Sequence, residues 1–115
     1  IRYGGLRPEQ VEHYCLRHSN NRDYALRNWE LQGGHSSDGP WSTLRRHEND
    51  QTLTGARGQI GDWSVQTEEF FSAFRIITTG VNQSNFHYLD CNGIELFGQL
   101  VSPRRGTSTN APCFK

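Results

Sequence analysis

Five histidines are the residues of this 115-residue chain with the widest chemical repertoire: His13, His18, His35, His47 and His87. Imidazole nitrogens hold transition metals and move protons near neutral pH, but a metal site needs several ligands turned to one point. No pair here has HxH or HxxxH spacing. His13 and His18 stand five apart, which puts them on opposite faces of a strand. His35 falls in a turn, His47 ends a strand-like run and His87 begins one, so surface or loop positions are expected for all five. Asp38, Glu48, Asp50 and Asp62 offer oxygens of the kind calcium takes, without the D-x-D-x-D-G run that wraps such an ion. Cys15, Cys91 and Cys113 are odd in number and form no CxxC pair. They match neither zinc spacing nor a disulfide framework, and reduced, structural thiols are expected. A GxSxG nucleophile elbow is absent, and Gly55-Ala56-Arg57-Gly58 is too short for a phosphate cradle and has no helix signal after it. The expectation is no enzyme, no metal and no cofactor.

Twelve basic residues balance twelve acidic ones, so no general field draws the chain to nucleic acid or to an acidic membrane surface. Arg45-Arg46 and Arg104-Arg105 are short enough to read as solvated pairs. No apolar run reaches membrane-span length and no signal-peptide pattern is present. The chain begins at Ile1 rather than Met and reads as a piece of something longer. Its length suits one domain with a modest core. Three Trp, four Tyr and six Phe argue for a globular fold, and twelve Gly among many Asn, Ser and Asp residues make much of the chain turn.

The elements that must position these residues all pattern as β. His13–His18 alternates with Tyr14 and Leu16 on one face; Pro8 and the β-favouring Tyr and Cys argue against a helix from Glu9 to His18. Arg27–Gln32 places Trp29 and Leu31 in and Asn28, Glu30 and Gln32 out. Gly33–Pro40 reads as a turn holding an Asp-Gly step, and Trp41–His47 as the return strand. Trp63–Val65 is a short strand, Ala73–Thr78 the most strand-like run, and Gly93–Gly98 the last. Polar loops follow the apolar strands at 19–25 and 80–86. Asn82-Gln83-Ser84 is a glycosylation sequon. Short strands with turn signals and no strand–helix alternation predict an all-β fold, an antiparallel sandwich or barrel.

Leu26-Arg27-Asn28-Trp29-Glu30-Leu31-Gln32-Gly33 with Ser37-Asp38-Gly39-Pro40-Trp41 resembles the R-x-W-x-L-x-G-S-x-D-G-x-x-W hairpin of discoidin-like (F5/8 type C, galactose-binding-like) domains. Leu44–Asp50 with Leu53, then Phe74-Arg75-Ile76 with Thr79-Gly80 and Asn82, fit the same family. Tyr88-Leu89 and Gly93-Ile94-Glu95-Leu96-Phe97-Gly98 resemble its closing strand. The resemblance runs from about Glu12 to Leu100 and is nearest to the intracellular branch found in BTB-domain proteins and HECT-type ubiquitin ligases. It implies an antiparallel β-sandwich of the jelly-roll kind over residues 1–101 and a flexible tail or linker over 102–115. Family members usually have one or two strands ahead of the His13–His18 segment, so the first strand is expected to be shortened or missing. Secreted members often tie their ends with a disulfide, which internal Cys15 and Cys91 do not suggest; an intracellular, cytoplasmic setting is expected.

In this family the ligand usually meets loops at one end of the sandwich. That implies a non-catalytic binding module using Asn20, Asn21, Arg22, Asp23 and Tyr24 from one loop and Asn82, Asn85, Phe86 and His87 from the other. Amides and an Arg would hydrogen-bond, and Tyr24 and Phe86 would stack. The expected partner is a protein or peptide, with carbohydrate as the alternative and neither nucleic acid nor a membrane span involved. Trp29 and Trp41 are expected to pack together across the hairpin, and Arg75 to cover an aromatic ring or pair with a carboxylate.

Overall fold

The computed structural model describes residues 2–100 and 107–109, with side chains from 8 to 100. Its strands are β1 (Arg2–His18), β2 (Trp29–Gly34), β3 (Trp41–His47), β4 (Ile60–Ser64), β5 (Phe71–Thr78), β6 (Cys91–Leu100) and β7 (Thr107–Thr109). Every pairing is antiparallel, and the described residues contain no helix. The tail expected over 102–115 lies outside the described residues except for β7, which pairs with the end of β6.

β1 organises the fold. The short His13–His18 strand is part of a longer strand that extends back to Arg2. Glu9 pairs with Phe71 on one edge and with Leu100 on the other. Before Glu9 the first edge belongs to β5; from His13 to Arg17 the same edge belongs to β4, while β6 runs along the opposite edge. Pro8, which has no N–H to donate, falls where the β1–β5 ladder changes register. One seven-stranded sheet results, in the order β3-β2-β5-β1-β6-β7, with β4 branching from β1.

The branch lets the sheet curl. β3, β2 and the end of β5 form one half; β4, the end of β1 and the start of β6 form the other. Tyr14, Leu16, Trp29, Leu31, Leu53, Trp63, Phe71, Phe74 and Ile76 fill the space between them. Trp29 meets Trp63 edge-on at 5.2 Å, although their strands share no ladder. Truncating such a buried aromatic costs on the order of 3–5 kcal/mol, a large share of a small domain's stability.

β2 is buried along its whole length. Gly33 and Gly34, expected in the turn, continue the strand because the Phe71 ring lies where a Gly33 side chain would go, with its Cγ 2.7 Å from the Cβ position. Glu30 and Gln32 point outward as expected yet are covered. Thr43, Gln32 and Arg46 donate to the Glu30 carboxylate, and Arg75 Nε donates to Gln32 Oε1. Those hydrogen bonds, led by Thr43, hold the Glu30 carboxyl below its ordinary pKa. Arg75 stacks over Trp41 at 4.4 Å, as the sequence suggests. Trp41 and Trp29 do not pack together: Trp41 pairs with Gly34 and Trp29 with His47, at opposite ends of the hairpin.

Two histidines expected at the surface are core residues. His18 is 0% and His47 2% exposed. His47 stacks on Trp29 at 3.9 Å and meets Trp63 and Tyr14 edge-on. Trp29 Nε1–H donates to Tyr14 Oη (2.9 Å), and Tyr14 Oη lies 2.6 Å from His47 Nε2. His47 Nδ1 lies 2.8 Å from Asp50 Oδ2, which only accepts, so Nδ1 carries the proton and Nε2 accepts from Tyr14. Each polar atom of this Trp29–Tyr14–His47–Asp50 network is thereby satisfied. Burial pushes the Tyr14 hydroxyl well above its ordinary range.

Burial lowers the His47 pKa below 6.5, outweighing the pull of Asp50. Below pH 6.5 the unfolded chain binds a proton that the folded chain refuses, so stability present at neutral pH is lost on acidification. Asp50, held below 3.8 because bonds from Thr52 and His47 outweigh its burial, loses its contribution only at still lower pH. Glu9 acts in the opposite sense. Burial raises its carboxyl to about 7 from 4.5, so stability falls as the pH rises across that interval. In urea titrations the two slopes oppose one another just below pH 6.5, where both windows apply. Glu9→Gln is expected to lose stability on acidification through this window and to gain roughly 1–3 kcal/mol over wild type above pH 7. His47→Gln is expected to show the reverse slope. Parallel slopes in the two variants would contradict the assignment.

Candidate functional site

The curl carries three connections across the same end of the molecule. The segment 19–28 leads from β1 to β2, 48–59 from β3 to β4, and 79–90 from β5 to β6, each passing from one half of the sheet to the other. The two loops singled out in the sequence do meet. Gln83 N–H donates to the Ala25 carbonyl at 2.9 Å, Ala25 N–H returns a bond to Gln83 Oε1 at 3.2 Å, and Ser84 Oγ donates to the Asp23 carbonyl. Asn28 Nδ2 reaches the Val81 carbonyl and its Oδ1 accepts from Asn49 N–H, which ties in the third loop.

Local sequence explains these shapes. Asp23 and Asn85 take left-handed backbone angles, φ 66° and 65°, which Asp and Asn tolerate better than other non-glycine residues. Asn82 Oδ1 accepts from the amides of Ser84 and Phe86, closing a tight turn from within. Asn82 is 4% exposed and its Nδ2 is buried, so it shapes the loop rather than facing solvent, and the sequon amide is enclosed. Asn21 is exposed but engaged: Nδ2 donates to Asp90 and its carbonyl accepts from His18 Nε2. Asn20, Arg22, Asp23, Asn85, Phe86 and His87 are exposed, and Tyr24 is half-buried.

Three aromatic rings gather there. Tyr24 lies 5.9 Å from Phe86 and 6.5 Å from Tyr88, and Phe86 stacks on Tyr88 at 5.3 Å. Phe86 is 44% and Tyr88 60% exposed, unusual values for rings of this size. Arg22 and Asp23 line a shallow cavity of about 290 Å³ with Thr54, Gly55 and Ala56. Among the described residues no carboxylate pairs with Arg22.

Tyr88 and the Thr54–Ala56 wall were not singled out in the sequence. Tyr88 reads there as the lead-in to the last strand, and Gly55 as part of a poor phosphate motif. Gly55 has φ 96°, where a side chain would collide with Gln83 Oε1 and stand 2.9 Å from the Asp23 nitrogen. Its positive angle keeps the third loop against the other two.

The other candidate chemistry disperses. Asp38, Glu48, Asp50 and Asp62 form no shared ligand set among the described residues. His13, Cys15 and Asp62 bring their ligand atoms within 4.8 Å of one another. Cys15, however, is disulfide-bonded, against the expectation of a reduced thiol, and His13 stacks on Phe97 at 4.3 Å. Cys91 is free, and burial pushes its thiol up to about 11, which keeps it protonated at neutral pH. No helix of the described residues is long and apolar enough to cross a membrane.

No family model matches the sequence. The chain is 40% identical over 94 residues to the E3 ubiquitin-protein ligase hecd-1 of Caenorhabditis elegans, covering 76% of this chain and 3% of that protein. It is 38% identical over 72 residues to the BTB/POZ domain-containing protein At2g30600 of Arabidopsis thaliana, covering 59% of this chain and 8% of that protein. These are relatives of the two kinds to which the sequence motifs point, and the chain spans only a small part of each.

Gly55→Ala is expected to destabilise the fold by about 1–3 kcal/mol, the usual cost of a side chain at such an angle. Hydrogen exchange should show the loss first at the amides of Ala25 and Gln83. Unchanged protection at those amides would mean that the third loop does not brace the other two.

Proposed function

We propose that this chain is a non-catalytic binding module, a β-sandwich of the discoidin or galactose-binding-like kind, that serves a larger intracellular regulatory protein by recognising a protein or peptide partner through its loop end. The exposed aromatic group Tyr24–Phe86–Tyr88 beside the Arg22–Asp23 rim carries the reading. Aromatic rings with an adjacent Arg are the residues that dominate protein interfaces when buried. The rim is shallow, which suits a peptide or protein surface better than a deep small-molecule pocket would. The loops are tied by mutual hydrogen bonds, so little ordering cost falls on the bound state. Similarity to parts of a ubiquitin ligase and a BTB-domain protein supports a role as a recognition or adaptor element.

Carbohydrate is the second reading, because sugars stack on exposed rings and His87, Arg22 and the loop amides stand at the same end. A photo-crosslinking phenylalanine at position 88 separates the two when combined with a glycan array. The protein reading expects a protein adduct in cells that Arg22→Ala and Phe86→Ala each reduce at least tenfold, in line with truncation of an interface anchor. Saturable glycan binding abolished by Arg22→Ala, with no protein adduct, would replace that reading with the carbohydrate one.

A further inference from the structure

Among the described strands the curled sheet does not close on itself. β3 ends the ladder order on one side and β4 pairs with β1 alone, so each keeps an edge that no described strand covers. Uncovered edges are templates for another strand. Between them lies a cleft of about 410 Å³ lined by Leu44, Arg45, Ser64 and Gln66, within the ~300–1,000 Å³ typical of ligand sites.

The register shows what β4 presents to this cleft. Val65 N–H donates to the Glu12 carbonyl. Ladder bonds to β1 therefore fall at Val65, Trp63 and Gly61, and the N–H and C=O groups of Asp62 and Ser64 point away from β1. In agreement, Arg45 Nη1 reaches the Ser64 carbonyl at 2.8 Å and its hydroxyl at 3.1 Å. Among the described residues no carboxylate lies within ion-pair distance of Arg45, whereas its neighbour Arg46 is held by Glu30 and Glu48. Leu44 is the extra residue of a bulge, since Leu31 pairs with Arg45 and Gln32 with Thr43. It packs partly against the core and gives the cleft an apolar floor. Ile60, 45% exposed, stands at the start of β4.

We propose that this cleft is a second binding site, independent of the loop end, for an extended acidic peptide segment that adds as a strand to the free edge of β4. The incoming backbone N–H takes over the Ser64 carbonyl from Arg45, and the released guanidinium meets an Asp or Glu of the segment, an ion pair with charge on both partners that is stronger than the guanidinium–carbonyl bond it replaces. The Ser64 carbonyl and the guanidinium each keep a partner, the Ser64 hydroxyl turns to solvent, and the segment's apolar residues find Leu44 and Ile60.

The test uses a fluorescein-labelled, terminally blocked peptide of alternating Thr and Val with one central Glu, and its Gln counterpart, in anisotropy titrations up to millimolar protein. Asp62→Pro removes one N–H from the free edge and leaves the β1 ladder intact, a position where strands tolerate proline; circular dichroism and thermal melting check its fold. The Glu peptide is expected to bind at least tenfold more tightly than the Gln peptide. Arg45→Gln should make the two equal, Asp62→Pro should weaken both at least tenfold, and Phe86→Ala should change neither. Equal binding of both peptides to the wild type, undiminished binding to folded Asp62→Pro, or no binding of the Glu peptide would overturn the proposal. So would concentration-dependent dimerisation in the ultracentrifuge that Asp62→Pro abolishes, which would make the occupant a second copy of the chain.

Discussion

The buried imidazole of His47 is the interaction on which the rest depends. It stacks on Trp29, accepts the Tyr14 hydroxyl and donates to Asp50, and so touches β1, β2 and the start of the third loop from its place at the end of β3. A ring this deeply buried is tolerated because both nitrogens are satisfied and the neutral form is preserved. Removing any partner would strand a polar atom between two tryptophans, at a cost of about 1–3 kcal/mol beyond the lost packing. The network joins the two halves of the sheet across the core, where β2 and β4 share no ladder.

That clamp also sets the loop end. Asp50 is fixed by His47 on one side and caps the Thr52 amide on the other, so the third loop leaves the core in a defined direction. It then meets Gln83 through the Thr54 carbonyl, and Gln83 holds Ala25. The exposed aromatic group thus rests on a chain of bonds that begins in the core. The opposite regime holds at the cleft between β3 and β4, where a single arginine spans two uncovered edges. One surface sets exposed aromatic rings beside an Arg–Asp rim, the other is an opening with a charge.

Much of this was legible in the residues. Alternation announced Trp29 and Leu31 as inward, the Asp-Gly step marked the hairpin, and the family resemblance implied that the loops 19–25 and 80–86 meet at one end. The strands and their antiparallel, all-β character follow from patterns within a few residues. What escaped depends on neighbours distant in sequence. His47 reads as a strand-end surface residue until Tyr14, 33 positions earlier, is seen to hydrogen-bond it. Gly33 reads as turn because nothing local says that Phe71, 38 positions later, fills the space beside it. Asn82 reads as a ligand-facing amide, while its oxygen is spent inside its own turn. Tyr88 was missed because a strand-like lead-in gives no sign of which face will stay exposed. The branch at Glu9, which makes β1 serve three partners, has no local signature beyond Pro8.

The central claim is that the loop end is a preformed surface braced from the core. Backbone ¹⁵N relaxation across residues 19–25, 52–59 and 81–88 tests it most directly. A braced surface gives order parameters near those of the strands, about 0.8 or higher. Values at or below about 0.6 in these loops would mean that they are mobile and order only on binding, which contradicts the account.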